Sequence, residues 1–201
     1  SKEKTKANGD YKCGEVLKRL VEDFHNKCYL CEEKDPSTIN VEHFIPCKDN
    51  RDLRFDWNNL FLSCGHCNNT KLAKYDNIID CTDNSQVVVN LLKFEIKPFP
   101  RERATITALS TESKVISTAE LLSEIYNGTT ELKSFESINI RNKLINEIIH
   151  FQGLLQEYYD EPGLSSEEKN DLKRKLKHRL SSDSAFTAFK IWVIKGNDDL
   201  Y

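Results

Sequence analysis

The chain has no methionine, and only seven glycines and five prolines among its 201 residues. So little glycine and proline excludes collagen-like and low-complexity classes. A chain that opens on Ser1 without any methionine suggests a trimmed start or a tag remnant, so Ser1 to Asp10 (SKEKTKANGD) say little about the fold. No run approaches the ~18 consecutive apolar residues that span a bilayer, and no charged, apolar, small-residue leader is visible. The expectation is a cytoplasmic protein with no membrane partner. Apolar residues make up 38% and charged residues 30%, which fits a soluble globular protein with a real core rather than a disordered chain. A positive balance is also missing, since the formal net charge is −3. Autonomous nucleic-acid binders are usually basic. A chain of this charge meets a polyanion through a local positive patch or through another subunit.

Cysteine, in contrast, is plentiful: Cys13, Cys28, Cys31, Cys47, Cys64, Cys67 and Cys81. Four of these form two C-x-x-C pairs, Cys28-Tyr-Leu-Cys31 and Cys64-Gly-His-Cys67. Without a leader, the pattern favours metal thiolates in a reducing compartment over disulfides. Each C-x-x-C turn aims two thiolates at one point. Two such turns complete tetrahedral Zn²⁺ with no open position, which marks a structural metal. Zinc binding then contributes directly to folding. His66, inside the second knuckle, is the alternative to one of the thiolates. Residues 32–63, between the pairs, exceed the usual ribbon spacing and must enclose something folded. Cys13, Cys47 and Cys81 are expected to be small buried apolar side chains.

Periodicity supplies the frame. Val16, Leu17, Leu20, Val21 and Phe24 recur at helical spacing and predict a helix from Cys13 to Asn26. Val87-Val88-Val89, Phe94-Glu95-Ile96 and Thr105-Ile106-Thr107 predict two or three short strands between Ser85 and Leu109, punctuated by Pro98 and Pro100. From about Ser113 the pattern is helical. Ser117-x-x-Glu120 reads as a capping box before Leu121, Leu122 and Ile125, with Gly128 as the stop. A longer helix carries Leu132, Phe135, Ile138, Ile145, Ile148, Phe151 and Leu155 on roughly one face and ends at Pro162-Gly163. Leu172, Leu176 and Leu180 stripe a third helix; Phe186, Phe189 and Val193 stripe a fourth.

Chemistry-bearing residues concentrate between and just after the knuckles. Ile39 to Pro46 alternates as a half-buried strand does, with Glu42 and His43 near its end on opposite faces. Asp56-Trp57-Asn58-Asn59-Leu60 and Phe61-Leu62-Ser63 lead into the second knuckle, and Asn68, Asn69, Thr70 and Lys71 follow where a helix would start. Phosphodiester hydrolysis needs an activated water, a cation on the phosphate and in-line geometry. A histidine of near-neutral pKa deprotonates the water. A hard divalent ion, held by a carboxylate and an amide oxygen, neutralises developing charge. One His, one Glu and the asparagines of this region supply such a set.

Glu42-His43 before Ile-Pro, Asn59-Leu60 in the middle and Cys64-x-x-Cys67-Asn68-x-x-Lys71 at the end resemble the three blocks of HNH endonucleases, over Cys28 to Lys74. The resemblance implies a zinc-stapled ββα-metal HNH core, which with the short β region and the helical C-terminal half read from the periodicity makes the expected chain α+β. It implies His43 as general base, Asn59 as the brace of the loop and the histidine, and Asn68 with Glu42 as ligands of the catalytic ion. The third block often ends in His, whereas here it carries Asn68. An amide oxygen favours Mg²⁺ or Mn²⁺ over a nitrogen-loving transition metal, and Asn69 competes for the same role. More narrowly, the run F-D-W-N-N-L-F-L-S-C-G-H-C-N-N-T-K and the helical tail are similar to the HNH subunit of Septu-type, retron-associated anti-phage systems. That likeness implies DNA as substrate and an ABC-type ATPase subunit (PtuA-like) that binds and controls the nuclease. It also allows a homodimer within a larger complex. The implied organisation is an N-terminal helix at 1–27, a zinc-bound nuclease core with adjoining strands at 28–112 and a helical partner-interaction region at 113–201.

Plainer readings stand beside these. Asn59 could cap a turn and Asn68 a helix; Lys71 could reach a phosphate or lie solvated. The basic run Lys173 to Arg179 reads as a solvated helix face or as a DNA contact, and Phe186, Phe189 and Trp192 as core or interface. His25, His150 and His178 carry no signal. A non-catalytic zinc adaptor for nucleic acid or protein, or a nuclease acting on RNA, remain the alternatives to a DNA endonuclease.

Overall fold

The computed structural model describes residues 2–6 and 9–196. A 3-10 turn (Lys2–Thr5) precedes helix α1 (Gly14–Asp23). Then follow strand β1 (Ile39–His43), the single turn α2 (Arg51–Arg54), a 3-10 turn (Trp57–Asn59), strand β2 (Leu60–Cys64) and helix α3 (Gly65–Lys71). A short helical turn α4 (Val88–Leu91) leads into strands β3 (Leu92–Glu95) and β4 (Thr105–Ala108). Helices α5 (Ser113–Asn127), α6 (Glu131–Asp160), α7 (Ser166–Arg179) and α8 (Thr187–Lys195) follow. The architecture is α+β, as the sequence implied. Among the described residues no helix is long and apolar enough to cross a membrane.

β1 and β2 pair antiparallel with Val41 opposite Leu62, Glu42 opposite Phe61 and His43 opposite Leu60. The two-residue period divides this hairpin into faces. Val41, Leu60 and Leu62 close with Leu20 of α1 into a small apolar cluster. Phe61, on the other face, stacks with Phe44 and meets Phe24 and Tyr29. The larger core joins all four knuckle cysteines to Leu92, Phe94 and Ile106 of β3 and β4, to Leu121, Leu122, Ile125 and Tyr126 of α5, and to Ile140, Leu144 and Ile148 of α6. Phe186 and Phe189 belong to it, and Trp192 packs on its edge while its Nε1 donates to the Leu92 carbonyl. The aromatic cluster is therefore core.

Several expectations are corrected. The valines at 87–89 form no strand. β3 and β4 make a two-stranded sheet, so a third run has no ladder, and α4 turns Val88 and Val89 onto the core instead. α5 starts at Ser113, one turn before the supposed capping box, so Ser117 and Glu120 lie inside it. Gly128 does end that helix at φ 72°, and a Cβ there would stand 2.6 Å from the Ser134 backbone. On α6 the buried stripe is Ser137, Ile140, Arg141, Leu144, Ile145, Ile148 and Phe151. Leu132, Phe135 and Ile138 face outward, because they fall off the i, i+3, i+4 line that leads back from Phe151. The basic run of α7 is a solvated face with Leu172 and Leu176 inward; Arg174 and Lys175 pair with Asp171, and Arg179 with Glu147. The three unpaired cysteines are not buried: Cys13 and Cys47 are half-buried and Cys81 is exposed.

Candidate functional site

The two knuckles meet as their spacing predicts. In the first, the Glu32 N–H donates to the Cys28 carbonyl, and the turn closes through a left-handed Glu32 at φ 56°. The second forms the first turn of α3, with Cys64 as its cap and the Cys67 N–H donating to Cys64 Sγ. The helix thus begins inside the knuckle rather than after it. The sulfurs of Cys28, Cys31, Cys64 and Cys67 lie within 4.8 Å of one another, all buried. Four thiolates at ~2.3 Å around a tetrahedral ion stand ~3.8 Å apart, so the cluster is sized for zinc. Burial pushes the Cys67 thiol well above its ordinary pKa. Several thiolates in so dry a site require a cation. His66 is not a ligand. Its Nε2 donates to the Ile125 carbonyl at 2.8 Å and its Nδ1 lies 2.6 Å from Glu136 Oε2. It ties the knuckle to α5 and α6.

Glu42 and His43 leave β1 on opposite faces. The His43 ring packs against Tyr11 in a tilted arrangement, with ring centroids 4.5 Å apart. Its Nε2 is 3.1 Å from the Arg54 carbonyl. A carbonyl only accepts, so Nε2 carries the proton and Nδ1 the lone pair. Nδ1 lies 3.7 Å from Cys47 Sγ. The ring is half-buried, and burial, the dominant cause, lowers its pKa below the usual value. It is neutral at neutral pH.

Asn59 is buried and makes three hydrogen bonds. Oδ1 accepts from the Ile45 N–H at 2.7 Å, and Nδ2 donates to the carbonyls of Ile45 at 2.9 Å and Leu53 at 3.1 Å. Both ends of the 45–53 loop are thereby fixed, and with them the carbonyl of Arg54 that orients His43. Local capping assists: Asn50 caps α2 and Asp56 caps the turn that carries Asn59.

Glu42 faces α3. Lys71 Nζ, expected at a phosphate or in solvent, is instead fully buried and donates to Glu42 Oε1 and to the His43 carbonyl, each at 3.0 Å. Burial raises the Glu42 pKa, against the opposing pull of the Lys71 charge. Glu42 Oε2 is buried with no hydrogen-bond partner. Asn68 sits one turn before Lys71 on α3, half-buried, whereas Asn69 is exposed. An unpartnered, buried carboxylate oxygen is a donor of the kind a hard divalent ion takes, and α3, which faces Glu42 through Lys71, also carries the amide of Asn68. Sequence reasoning missed Tyr11 and the Lys71–Glu42 pair. The i, i+3 spacing of Asn68 and Lys71, which puts both on one helix face, was the available signal for Lys71. Nothing local pointed to Tyr11.

The HNH endonuclease family model matches residues 28–74, the segment that holds both knuckles, Glu42, His43, Asn59, Asn68 and Lys71. The chain is also similar to Septu protein PtuB of Bacillus thuringiensis, with 38% identity over 55 residues. That stretch is 26% of this chain and 21% of the relative, so the likeness spans about a fifth of the curated relative's length. No solved structure matches.

Proposed function

We propose that this chain is a metal-dependent HNH endonuclease that hydrolyses DNA phosphodiester bonds, with 28–112 as its nuclease core. In this reading it is the cytoplasmic nuclease effector of an anti-phage complex, gated by an ABC-type ATPase subunit that engages the helical region 113–201. The observation that carries the reading is the His43 ring, held through Nε2 by the Arg54 carbonyl, within a segment that matches the HNH model. Nδ1 accepts the proton of the attacking water, and the Nε2–H bond keeps the ring in that tautomer throughout. Asn59 acts one step back by fixing the loop that presents Arg54. Mg²⁺ or Mn²⁺ would be held by Glu42 Oε2 and Asn68, and would neutralise charge building on the phosphate. Zn²⁺ in the four-cysteine cluster is structural, since no position is left open for substrate. The partner supplies affinity for the polyanion that a net charge of −3 does not.

The test is nicking of supercoiled plasmid with Mg²⁺ by zinc-loaded wild type and His43→Ala, alone and with a Septu ATPase subunit. Loss of nicking of at least ~100-fold in the variant is expected for a general base. Equal cutting by both proteins sinks the assignment, and preferential cutting of tRNA moves the substrate to RNA.

A further inference from the structure

Lys71 is the least expected feature of the site. α3 delivers its ammonium behind β1, where Lys71 is 0% exposed and Glu42 is 6% exposed. One Nζ therefore grips two consecutive residues of the strand, Glu42 through its side chain and His43 through its carbonyl. A buried ion pair of this kind is weak evidence of a stabilising role, because a well-packed apolar pair does as well. A purely structural pair would also have no use for a buried carboxylate oxygen without a partner, which is what Oε2 of Glu42 is.

The charge balance of this small volume has a consequence. Glu42 already has its counter-ion. A divalent ion arriving at Oε2 meets a pair that is neutral overall and an ammonium 3.0 Å from the other oxygen of the same carboxylate. With both groups largely removed from water, the repulsion between ion and ammonium outweighs the rotamer freedom that Lys71 removes from Glu42. Only an added negative group offsets it. A phosphodiester is such a group, and it is the one the proposed reaction brings.

We infer that Lys71 is a positioning residue that makes divalent-metal binding at Glu42 conditional on the phosphate substrate: it aims Oε2 of Glu42 at the ion and keeps the ion's affinity low until a phosphate joins it. The inference rests on the proposed role of Glu42 as a metal ligand. It gives the isolated chain a reason to be idle, since without nucleic acid in place the ion is not retained.

The probe is Mn²⁺, titrated into zinc-loaded full-length protein and followed by electron paramagnetic resonance of free Mn²⁺ and by calorimetry. All proteins carry His43→Ala so that DNA is not consumed, and circular dichroism checks the fold. The expected result is weak Mn²⁺ binding by the Lys71-containing protein that tightens at least tenfold with a DNA duplex. Lys71→Met should bind Mn²⁺ at least tenfold more tightly without DNA, losing the DNA dependence, and adding Glu42→Gln should abolish that gain. Lys71→Gln, which keeps a donor but no charge, serves if the Met variant does not fold. A merely structural lysine would not raise metal affinity when removed. Equal Mn²⁺ affinity with and without Lys71, at a site that Glu42→Gln removes, overturns the inference and leaves Glu42 a ligand. Absence of any Glu42-dependent Mn²⁺ binding, with or without DNA, overturns the metal reading itself.

Discussion

Replacing Asn59 tests how far the loop between β1 and β2 is responsible for His43. Asn59→Ala removes an acceptor from the Ile45 N–H and a donor from two carbonyls, Ile45 and Leu53. A buried group left without a partner costs about 1–3 kcal/mol. Ile45 is 45% exposed, so water recovers part of its share. Most of the uncompensated loss falls on the half-buried Leu53 carbonyl and on the cavity at a position only 3% exposed. The net expectation is a loss of roughly 2–3 kcal/mol, a large part of the ~5–15 kcal/mol available to a domain. Asn59→Asp separates volume from chemistry. It keeps the acceptor for Ile45, but turns an oxygen toward two carbonyls where Nδ2 stood. Guanidinium unfolding of the zinc-loaded protein, followed by tryptophan fluorescence, reads the stability. Plasmid nicking reads the loss of the Arg54 carbonyl as the His43 support, expected at about 10–100-fold for a residue that orients another. If both variants unfold within ~0.5 kcal/mol of wild type and nick as fast, the brace is not one.

Three further outcomes follow from the same geometry. Stripping zinc with a strong chelator, or Cys64→Ser, should abolish cooperative unfolding, because structural zinc contributes on the order of 10 kcal/mol to small units; metal analysis should give one zinc per chain, and a chelated protein that still melts cooperatively contradicts this. Burial lowers the His43 pKa, so the unfolded chain binds more protons as pH falls below the ordinary value of about 6.5. Stability at this site is present above that value and is lost as pH drops through the folded value, and with metal saturating the acid limb of the cleavage profile should fall below ~6.5; a limb centred at 7 or above counts against His43. Gly128→Ala combines a φ of 72° with a Cβ at 2.6 Å from the Ser134 backbone and should cost more than ~1 kcal/mol in the same unfolding assay; an unchanged midpoint would mean that the turn relaxes freely.

The knuckles were legible because a C-x-x-C turn encodes its geometry locally, and the strand that ends in Glu42-His43 because alternation does the same. For Asn59 the family resemblance implied a brace and the sequence alone left a turn cap open; only the fold shows its hydrogen bonds to Ile45 and Leu53. What stayed hidden depends on partners distant in sequence. Lys71 meets Glu42 across 29 positions, and His66 meets Glu136 across 70; no local pattern carries either pairing. Leu132 and Phe135 misled because apolar residues near a helix start fit a face only when the direction of the core is known. The valines at 87–89 misled because β propensity gives no strand where no partner strand lies alongside.

Chemical rescue at His43 tests the central claim, that its ring is the general base, most directly. His43→Gly should nick plasmid at least ~100-fold more slowly than wild type, and added imidazole should restore the rate in proportion to its concentration as the neutral form. A His43→Gly protein that cuts at the wild-type rate, or a loss of cutting that follows loss of zinc instead of loss of the ring, would contradict the account.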